Sequence, residues 1–288
     1  MKNIALIIVQ TDKLDRGPLS ALLAVLRERG CRVQISERFR DDLAPLDGSL
    51  IFLPEESYLD GCELALALGG DGSVIEGARL TASRGIPLAG INFGRLGYMT
   101  AMGKESPEQL RDILDGKFTI EERVMIDVSI IRGDEELRMP HPALNEVIVS
   151  NAPMTKMLSF DLFCNGIKTQ NYRADGIIIA TPSGSTAYSL SAGGPVVAPS
   201  LDCMIATPLC PHSLTSRPVV FDGNTVIEIR NLQCRGNTIY VASDGRNIRE
   251  LKPDDTVLVR RSETKTKLVR PLNDSFLNTL YNKMSEHI

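Results

Sequence analysis

Residues 64–73 read Leu64-Ala65-Leu66-Ala67-Leu68-Gly69-Gly70-Asp71-Gly72-Ser73 and lead into a helical pattern, a succession that few folds accommodate. Five apolar residues are too few for a helix and suit a buried strand, and the glycines that follow permit a tight turn. A strand, a glycine-rich turn and a helix start together aim backbone N–H groups and the positive end of the helix dipole at an anion. Without side chains in the way, a phosphate can reach the main chain. The spacing matches neither the Gly-x-x-x-x-Gly-Lys loop of nucleoside triphosphatases nor the Gly-x-Gly-x-x-Gly dinucleotide fingerprint.

Asp71 is the oddity in this turn. A carboxylate repels phosphate unless it serves a proton or a metal ion. In phosphoryl transfer to an alcohol, an Asp can accept the hydroxyl proton and aim the oxygen at the γ-phosphate. The turn alone is equally compatible with a plain role in which Asp71 caps the helix expected over residues 74–83.

The pattern around the turn repeats it. Apolar runs at 4–9, 32–35, 50–53 and 86–91 read as strands, and residues 18–29 carry Leu19, Leu22, Leu23 and Leu26 at helical spacing before Gly30. Ser106-Pro107 opens a further helix that Gly116 closes. Short apolar strands alternating with helices predict a parallel sheet covered on both faces. From about residue 118 the texture changes to short strands and tight turns with hardly any helix. Asn165-Gly166 is the strongest hairpin signal, and strands are expected at 147–150, 157–164, 167–172, 176–179, 226–229, 239–243 and 256–259. A final helix over 276–284 follows candidate caps Asp274 and Ser275. With 288 residues the chain has room for two domains, one α/β and one mainly β.

Composition narrows the function classes. A net charge of −4 speaks against a general nucleic-acid or membrane-surface binder. The run at 4–9 is too short for a signal-peptide core or a membrane span. Six cysteines, at 31, 62, 164, 203, 210 and 234, form no Cys-x-x-Cys pair, and reduced, mostly buried thiols of the cytoplasm are expected. Cys210 and His212 lack a second pair to complete a zinc site, and a packed, hydrogen-bonded His212 is the preferred reading.

Two other clusters carry chemistry. Residues 180–191 put Thr181, Ser183, Ser185, Thr186, Ser189 and Ser191 beside Gly184, leaving room for a flat base, with Tyr188 able to stack on it. The plain alternative is a hydroxyl-rich helix cap with Tyr188 in the core. Asn145-Glu146 opens a strand and can fork onto vicinal ribose hydroxyls, unless it is merely an exposed strand end.

Taken in order, Gly69-Gly70-Asp71-Gly72, residues 92–100, Asn145-Glu146, Arg173-Ala174-Asp175-Gly176, residues 181–191, Pro211-His212-Ser213-Leu214, Arg217-Pro218 and Ser243-Asp244-Gly245 make the chain resemble the bacterial NAD kinases throughout. The resemblance implies a Rossmann-like parallel-sheet α/β domain over 1–120, a β-sandwich-like dinucleotide-binding domain over 121–261, and a segment 262–288 that packs back on the first. It implies transfer of the γ-phosphoryl of ATP to the adenosine ribose 2′-hydroxyl of NAD, with Mg²⁺ accompanying ATP, no protein-held metal, and a cytoplasmic homodimer or homotetramer. Asp71 is then the proton acceptor and Gly72 its neighbour on the substrate. Asn145, Glu146, Lys156, Arg173, Asp175, Ser183, Thr186, Ala187, Tyr188, Ser189, Leu190, Ser191 and Arg246 are the implied dinucleotide contacts. Ser183 stands where the family often has Thr and keeps the hydroxyl; Arg246 stands where Gln is usual. Asp244-Gly245 by itself reads as a hairpin turn.

Three rival readings share parts of this pattern. Lipid and sphingoid-base kinases carry a similar Gly-Gly-Asp-Gly turn, but the sequence offers no apolar stripe for a membrane surface. A phosphofructokinase-like sugar kinase is more remote. A nucleotide sensor without catalysis would keep the pocket while freeing Asp71 to change.

Overall fold

The computed structural model describes residues 1–285 apart from 13, 95–96, 153–155, 234–235, 237, 253 and 273–274. Arg95 and Leu96 of the 92–100 segment, Cys234, the candidate cap Asp274 and His287 lie outside the described residues, as does the side chain of Met284. The chain forms two compact units, Met1–Glu122 with Thr266–Ile288, and Arg123–Lys265.

The first unit runs β1 (Asn3–Ile8), α1 (Arg16–Glu28), β2 (Arg32–Ser36), α2 (Arg40–Leu43), β3 (Ile51–Leu53), β4 (Leu64–Gly69), α3 (Asp71–Thr81), β5 (Leu88–Asn92), β6 (Met102–Gly103) and α4 (Pro107–Leu114). The chain passes into the second unit along β7 (Phe118–Arg132). There follow β8 (Glu135–Arg138), β9 (Glu146–Ala152), β10 (Leu158–Cys164), β11 (Ile167–Ala174), β12 (Gly176–Ala180) and α5 (Tyr188–Ser191). Next come β13 (Cys203–Leu209), β14 (Val219–Asp222), β15 (Ile227–Gln233), β16 (Thr238–Ser243) and β17 (Arg246–Leu251). β18 (Thr256–Pro271) returns the chain to the first unit, where α6 (Phe276–Ser285) follows.

In the first unit the strands lie in the order β3-β2-β1-β4-β5-β18, and every pairing is parallel. The alternation of Leu and Ala along β4 decides how this sheet is covered. Leu64, Leu66 and Leu68 join Ile4, Leu6 and Ile8 in a core with Leu19, Leu22 and Leu26 of α1 and Leu110 and Ile113 of α4. Ala65 and Ala67 point to the opposite face, because side chains alternate along a strand. There α3 lies close: a Cβ on Gly77 would stand 2.8 Å from Leu88 Cδ1 and 3.4 Å from Ala67 Cβ. Large residues thus sit under α1 and α4, small ones under α3.

α3 begins at Asp71, three residues before the apolar periodicity that sets in at Val74. Its first turn, Asp71-Gly72-Ser73, is made of weak helix formers, so the start is fixed by the turn and not by propensity. At the other end of the strand-turn unit, Gly69 has φ +143, and a Cβ there would fall 2.2 Å from Ser73 Oγ. Only glycine fits.

The second unit holds two antiparallel arrays. β14-β13-β12-β9-β16-β17 make one sheet; β11-β10-β15-β18 pair in sequence, with β7 on β18 and β8 on β7. Val147, Val149, Ile177, Ile179 and Val241 from the first array share one core with Phe160, Leu162, Ile227, Ile229 and Val257 from the second, a β-sandwich arrangement. Asn165 and Gly166 take φ 51 and 77 between β10 and β11, the hairpin expected of that dipeptide. β7, 15 residues long, and β18, 16 residues long, are not the short strands expected. Their runs Glu121-Glu122-Arg123 and Arg260-Arg261 interrupt the apolar alternation on which that reading relied.

Gly90 in β5 sits directly beneath α3, where a Cβ would stand 2.6 Å from Val74 Cγ2 and 3.0 Å from Thr100 Cα. Gly90→Ala is therefore expected to destabilise the protein by about 1–3 kcal/mol through overpacking. Gly48→Ala, whose Cβ meets nothing within 4 Å, stays within about 0.5 kcal/mol of the parent. Urea unfolding of the two variants measures the difference.

Candidate active site

Asp71 is the first residue of α3 and the cap is Gly70, which makes no side-chain cap bond. The capping role is thus not the one Asp71 plays. Its carboxylate reaches across to the segment after β5, accepting the N–H of Tyr98 at 2.8 Å on one oxygen and that of Met99 at 2.9 Å on the other. The approach is close enough that a Cβ on Gly97 would fall 2.0 Å from Asp71 Oδ1. Two bonds, one per oxygen, fix the carboxylate plane and leave a lone pair on each oxygen for an incoming hydroxyl proton.

The neighbouring glycines differ in what they answer to. Gly69 is required by its φ and by Ser73, whereas a Cβ on Gly70 or Gly72 would meet nothing within 4 Å. Within a helix, Gly in place of Ala costs about 1 kcal/mol. The bare surface at Gly72 therefore goes unused by the fold and lies open beside Asp71.

In the second unit, Asn145 and Glu146 stand at the start of β9 with only 6% and 7% of their surfaces exposed. They are not an exposed strand end. Among the described residues, Asn145 Oδ1 and Glu146 Oε2 are buried without a hydrogen-bond partner. Unsatisfied buried acceptors are costly and rare, so this pair asks for donors from outside the protein. Asp244 holds them in place: its carboxylate accepts the N–H groups of Leu144 at 2.7 Å, Asn145 at 2.8 Å and Glu146 at 3.0 Å. Asp244 and Gly245, at φ 47 and 67, do form the hairpin turn read from sequence. The three-fold clamp is a second role that the sequence did not disclose.

Residues 181–191 fold directly onto Asn145. Thr181 N–H donates to Asn145 O at 2.8 Å, Thr181 Oγ1 donates to Leu144 O at 2.5 Å, and a Cβ on Gly184 would fall 2.1 Å from Asn145 O. Several hydroxyls expected to face a ligand are turned inward instead. Ser189 Oγ and Thr207 Oγ1 lie 2.9 Å apart, Ser185 Oγ accepts Val197 N–H at 3.0 Å, and Ser183 Oγ accepts from buried Arg123 at 3.1 Å. Tyr188, Leu190 and Ser191 are exposed, and Thr186 and Ala187 half-buried. Tyr188, 42% exposed, is not a core residue.

The remaining sequence candidates also belong to the second unit. Lys156, Arg173 and Arg246 are exposed, and Asp175 is half-buried with its N–H bonded to Leu209 O at 2.9 Å. His212 is exposed, with its backbone N–H on Arg173 O at 2.8 Å, so it is not the packed histidine expected. The five described cysteines are all free; only Cys203 is buried and Cys210 is exposed, which corrects the expectation of mostly buried thiols.

Burial pushes the Glu146 carboxyl up to about 7, and the charge of Asp244 adds to the rise. Burial also raises Asp244 from its ordinary value, against its three N–H bonds. An acid that keeps its proton to about pH 7 when folded but loses it near 4.5 when unfolded binds more protons in the fold between those values. The folded state therefore loses stability as pH rises through that window. Glu146→Gln removes the titration: its melting temperature should exceed the parent's by a few degrees near pH 8, and the gain should vanish by about pH 5. Calorimetric melts of the ligand-free protein across that range test this.

Comparison with known proteins places the whole chain. The ATP-NAD kinase N-terminal domain family matches residues 53–121, and the ATP-NAD kinase C-terminal domain family matches residues 144–271. The chain is 37% identical to the NAD kinase of Geobacter sulfurreducens over 285 residues, 99% of this chain and 98% of that protein. The crystal structure of yeast NADH kinase complexed with NADH shares the fold, at a TM-score of 0.89 and 20% identity over 99% of this chain and 88% of that one. An NAD kinase from Archaeoglobus fulgidus, solved in complex with ATP, gives a TM-score of 0.75 at 26% identity over 98% of both chains. With both domains matched and a relative of this identity aligned nearly end to end, the chain belongs to the NAD kinase family.

Proposed function

We propose that this enzyme transfers the γ-phosphoryl group of ATP to the 2′-hydroxyl of the adenosine ribose of NAD, giving NADP. The observation that carries the reading is the Asp71 carboxylate, fixed by the Tyr98 and Met99 N–H groups beside the bare Gly72 surface at a helix start. Phosphoryl transfer is mostly positioning and charge stabilisation. A carboxylate with both oxygens located by the backbone is well suited to orient a hydroxyl in line with the phosphorus and to take its proton late in the transfer.

In this reading Asn145 and Glu146 accept hydrogen bonds from ribose hydroxyls, which would satisfy their two orphaned oxygens. Tyr188 offers an exposed ring for a base, with Thr186, Ala187, Leu190 and Ser191 around it. Ser183 and Ser189 act through the fold, holding that segment in shape. Lys156, Arg173, Asp175 and Arg246 are assigned to the dinucleotide as well, its phosphates being natural partners of the three cations. Among the described residues no group of three or more His, Cys, Asp and Glu side chains is placed to hold a metal ion. Mg²⁺ is assigned to the phosphates of ATP, the usual arrangement for a cation that keeps several waters and needs at most one or two protein carboxylates. No helix among the described residues is long and apolar enough to cross a membrane. A cytoplasmic homodimer or homotetramer completes the proposal.

Two variants test it in an NADP-forming assay with ATP. Asp71→Asn turns one carboxylate oxygen into an amide donor facing an N–H; kcat should fall by about 10²–10⁴-fold while NAD affinity, measured by calorimetry, changes little. An unchanged turnover removes Asp71 from the mechanism. Gly72→Ala should leave stability equal or up to about 1 kcal/mol higher, because Ala is the better helix former. Its activity should nevertheless drop at least tenfold; wild-type activity would mean that no substrate approaches the main chain there.

A further inference from the structure

We propose that Arg270 is a positioning residue for the phosphoryl transfer, acting through the backbone that holds Asp71. Arg270, the penultimate residue of β18, lies in the first unit and is almost wholly buried. Its guanidinium spans three successive carbonyls of the segment after β5: Nη2 donates to Tyr98 O at 3.2 Å, and Nη1 lies 3.4 Å from both Met99 O and Thr100 O. Nε donates to Glu121 Oε2 at 2.9 Å. The same peptide segment therefore offers its N–H groups to Asp71 and its carbonyls to Arg270.

The arrangement has a mechanical consequence. Gly97 brings no side chain to stiffen the segment, and its N–H makes a long bond to Thr100 Oγ1, at 3.3 Å. A planar fork holds several carbonyls at a fixed spacing, whereas an ammonium presents its three rotatable donors from one point on a flexible stem. Glu121 orients that fork, and a buried charge so paired resists displacement. On the outer side, the Lys283 ammonium of α6 lies 4.4 Å from the centre of the Tyr98 ring, a further restraint on the same residue. A pocket of about 290 Å³ borders Tyr98, Glu121, Arg270 and Phe276, so removal of the guanidinium opens space and leaves the segment unsupported. Displacing a catalytic group by about 1 Å can cost about 10²-fold in rate. Arg270 is thus coupled to Asp71 without touching substrate.

This inference rests on the assignment of Asp71 to the chemistry. The test is a double-mutant cycle in the NADP-forming assay, normalised to folded protein by thermal melts. Arg270→Ala should lower kcat by about 10- to 100-fold with both KM values within about threefold, Arg270→Lys should fall between the two, and Asp71→Asn/Arg270→Ala should be no slower than Asp71→Asn alone. If Arg270→Ala does not fold, Arg270→Lys and Glu121→Gln carry the cycle, each with a smaller loss of kcat that also disappears on the Asp71→Asn background. A kcat within twofold of the parent, or losses that multiply with that of Asp71→Asn, overturns the proposal. Should Asp71→Asn itself keep full turnover, the assignment of Asp71 fails and this inference with it; an inactive Asp71→Asn beside a neutral Arg270 variant sinks this inference alone.

Discussion

The grip of the Tyr98 and Met99 N–H groups on the Asp71 carboxylate is the contact around which the first unit is built. For the first residue of α3 to meet the segment that follows β5, helix, strand and segment must lie closer than ordinary side chains allow. The sequence meets that demand with absences. Gly77 lets α3 settle onto Ala67 and Leu88, Gly90 lets Val74 and Thr100 approach β5, and Gly97 clears the carboxylate. The small face of β4, which looked like a simple Leu-Ala alternation, belongs to the same requirement. A parallel sheet also puts the end of β4 beside the end of β5, so two consecutive crossovers deliver turn and acceptor segment to one edge.

The second unit repeats the device with its roles exchanged. Asp244, half-buried, accepts three successive N–H groups, while two of the residues whose backbone it grips, Asn145 and Glu146, carry the open acceptors. A carboxylate buried among backbone donors is a rigid clamp, since both its oxygens are committed. It also brings a charge near Glu146 and helps hold that side chain's proton to about pH 7. Rigidity at β9 is thus obtained at a cost in stability that a bound donor would offset.

How much of this was legible depended on the range of the physics involved. The glycine turn could be read because positive φ and bare main chain are local properties written in four residues. The helices on either side of it, and the Asn165-Gly166 hairpin, were legible for the same reason. The clamp by Asp244 acts over about a hundred positions of sequence, and the Arg270 fork over about 170, so neither leaves a local signature. The internal partners of the hydroxyls at 183, 185 and 189 could not be read because a serine is equally good at meeting a ligand or a neighbouring polar group. Only tertiary packing turned Ser189 onto Thr207 and Ser185 onto Val197. His212 failed as a packed residue for a related reason: nothing in Cys210-Pro211-His212 says which way the loop faces.

What separates site from scaffold is where local rules are broken without return to the fold. Gly72 weakens the helix that begins beside it and fills no tight space. Asn145 and Glu146 bury acceptors that the protein leaves unanswered, though β9 would be steadier with apolar side chains there. By contrast Gly69, Gly184, Ser185 and Asp244 break rules and are answered by a neighbour at each turn. Consistency across levels is the ordinary state of a folded sequence, so an unanswered violation is a place to look for a ligand. The first unit leaves bare main chain beside a carboxylate, suited to a phosphate and an alcohol. The second leaves two buried acceptors unanswered, suited to ribose hydroxyls, and exposes the ring of Tyr188, suited to a base.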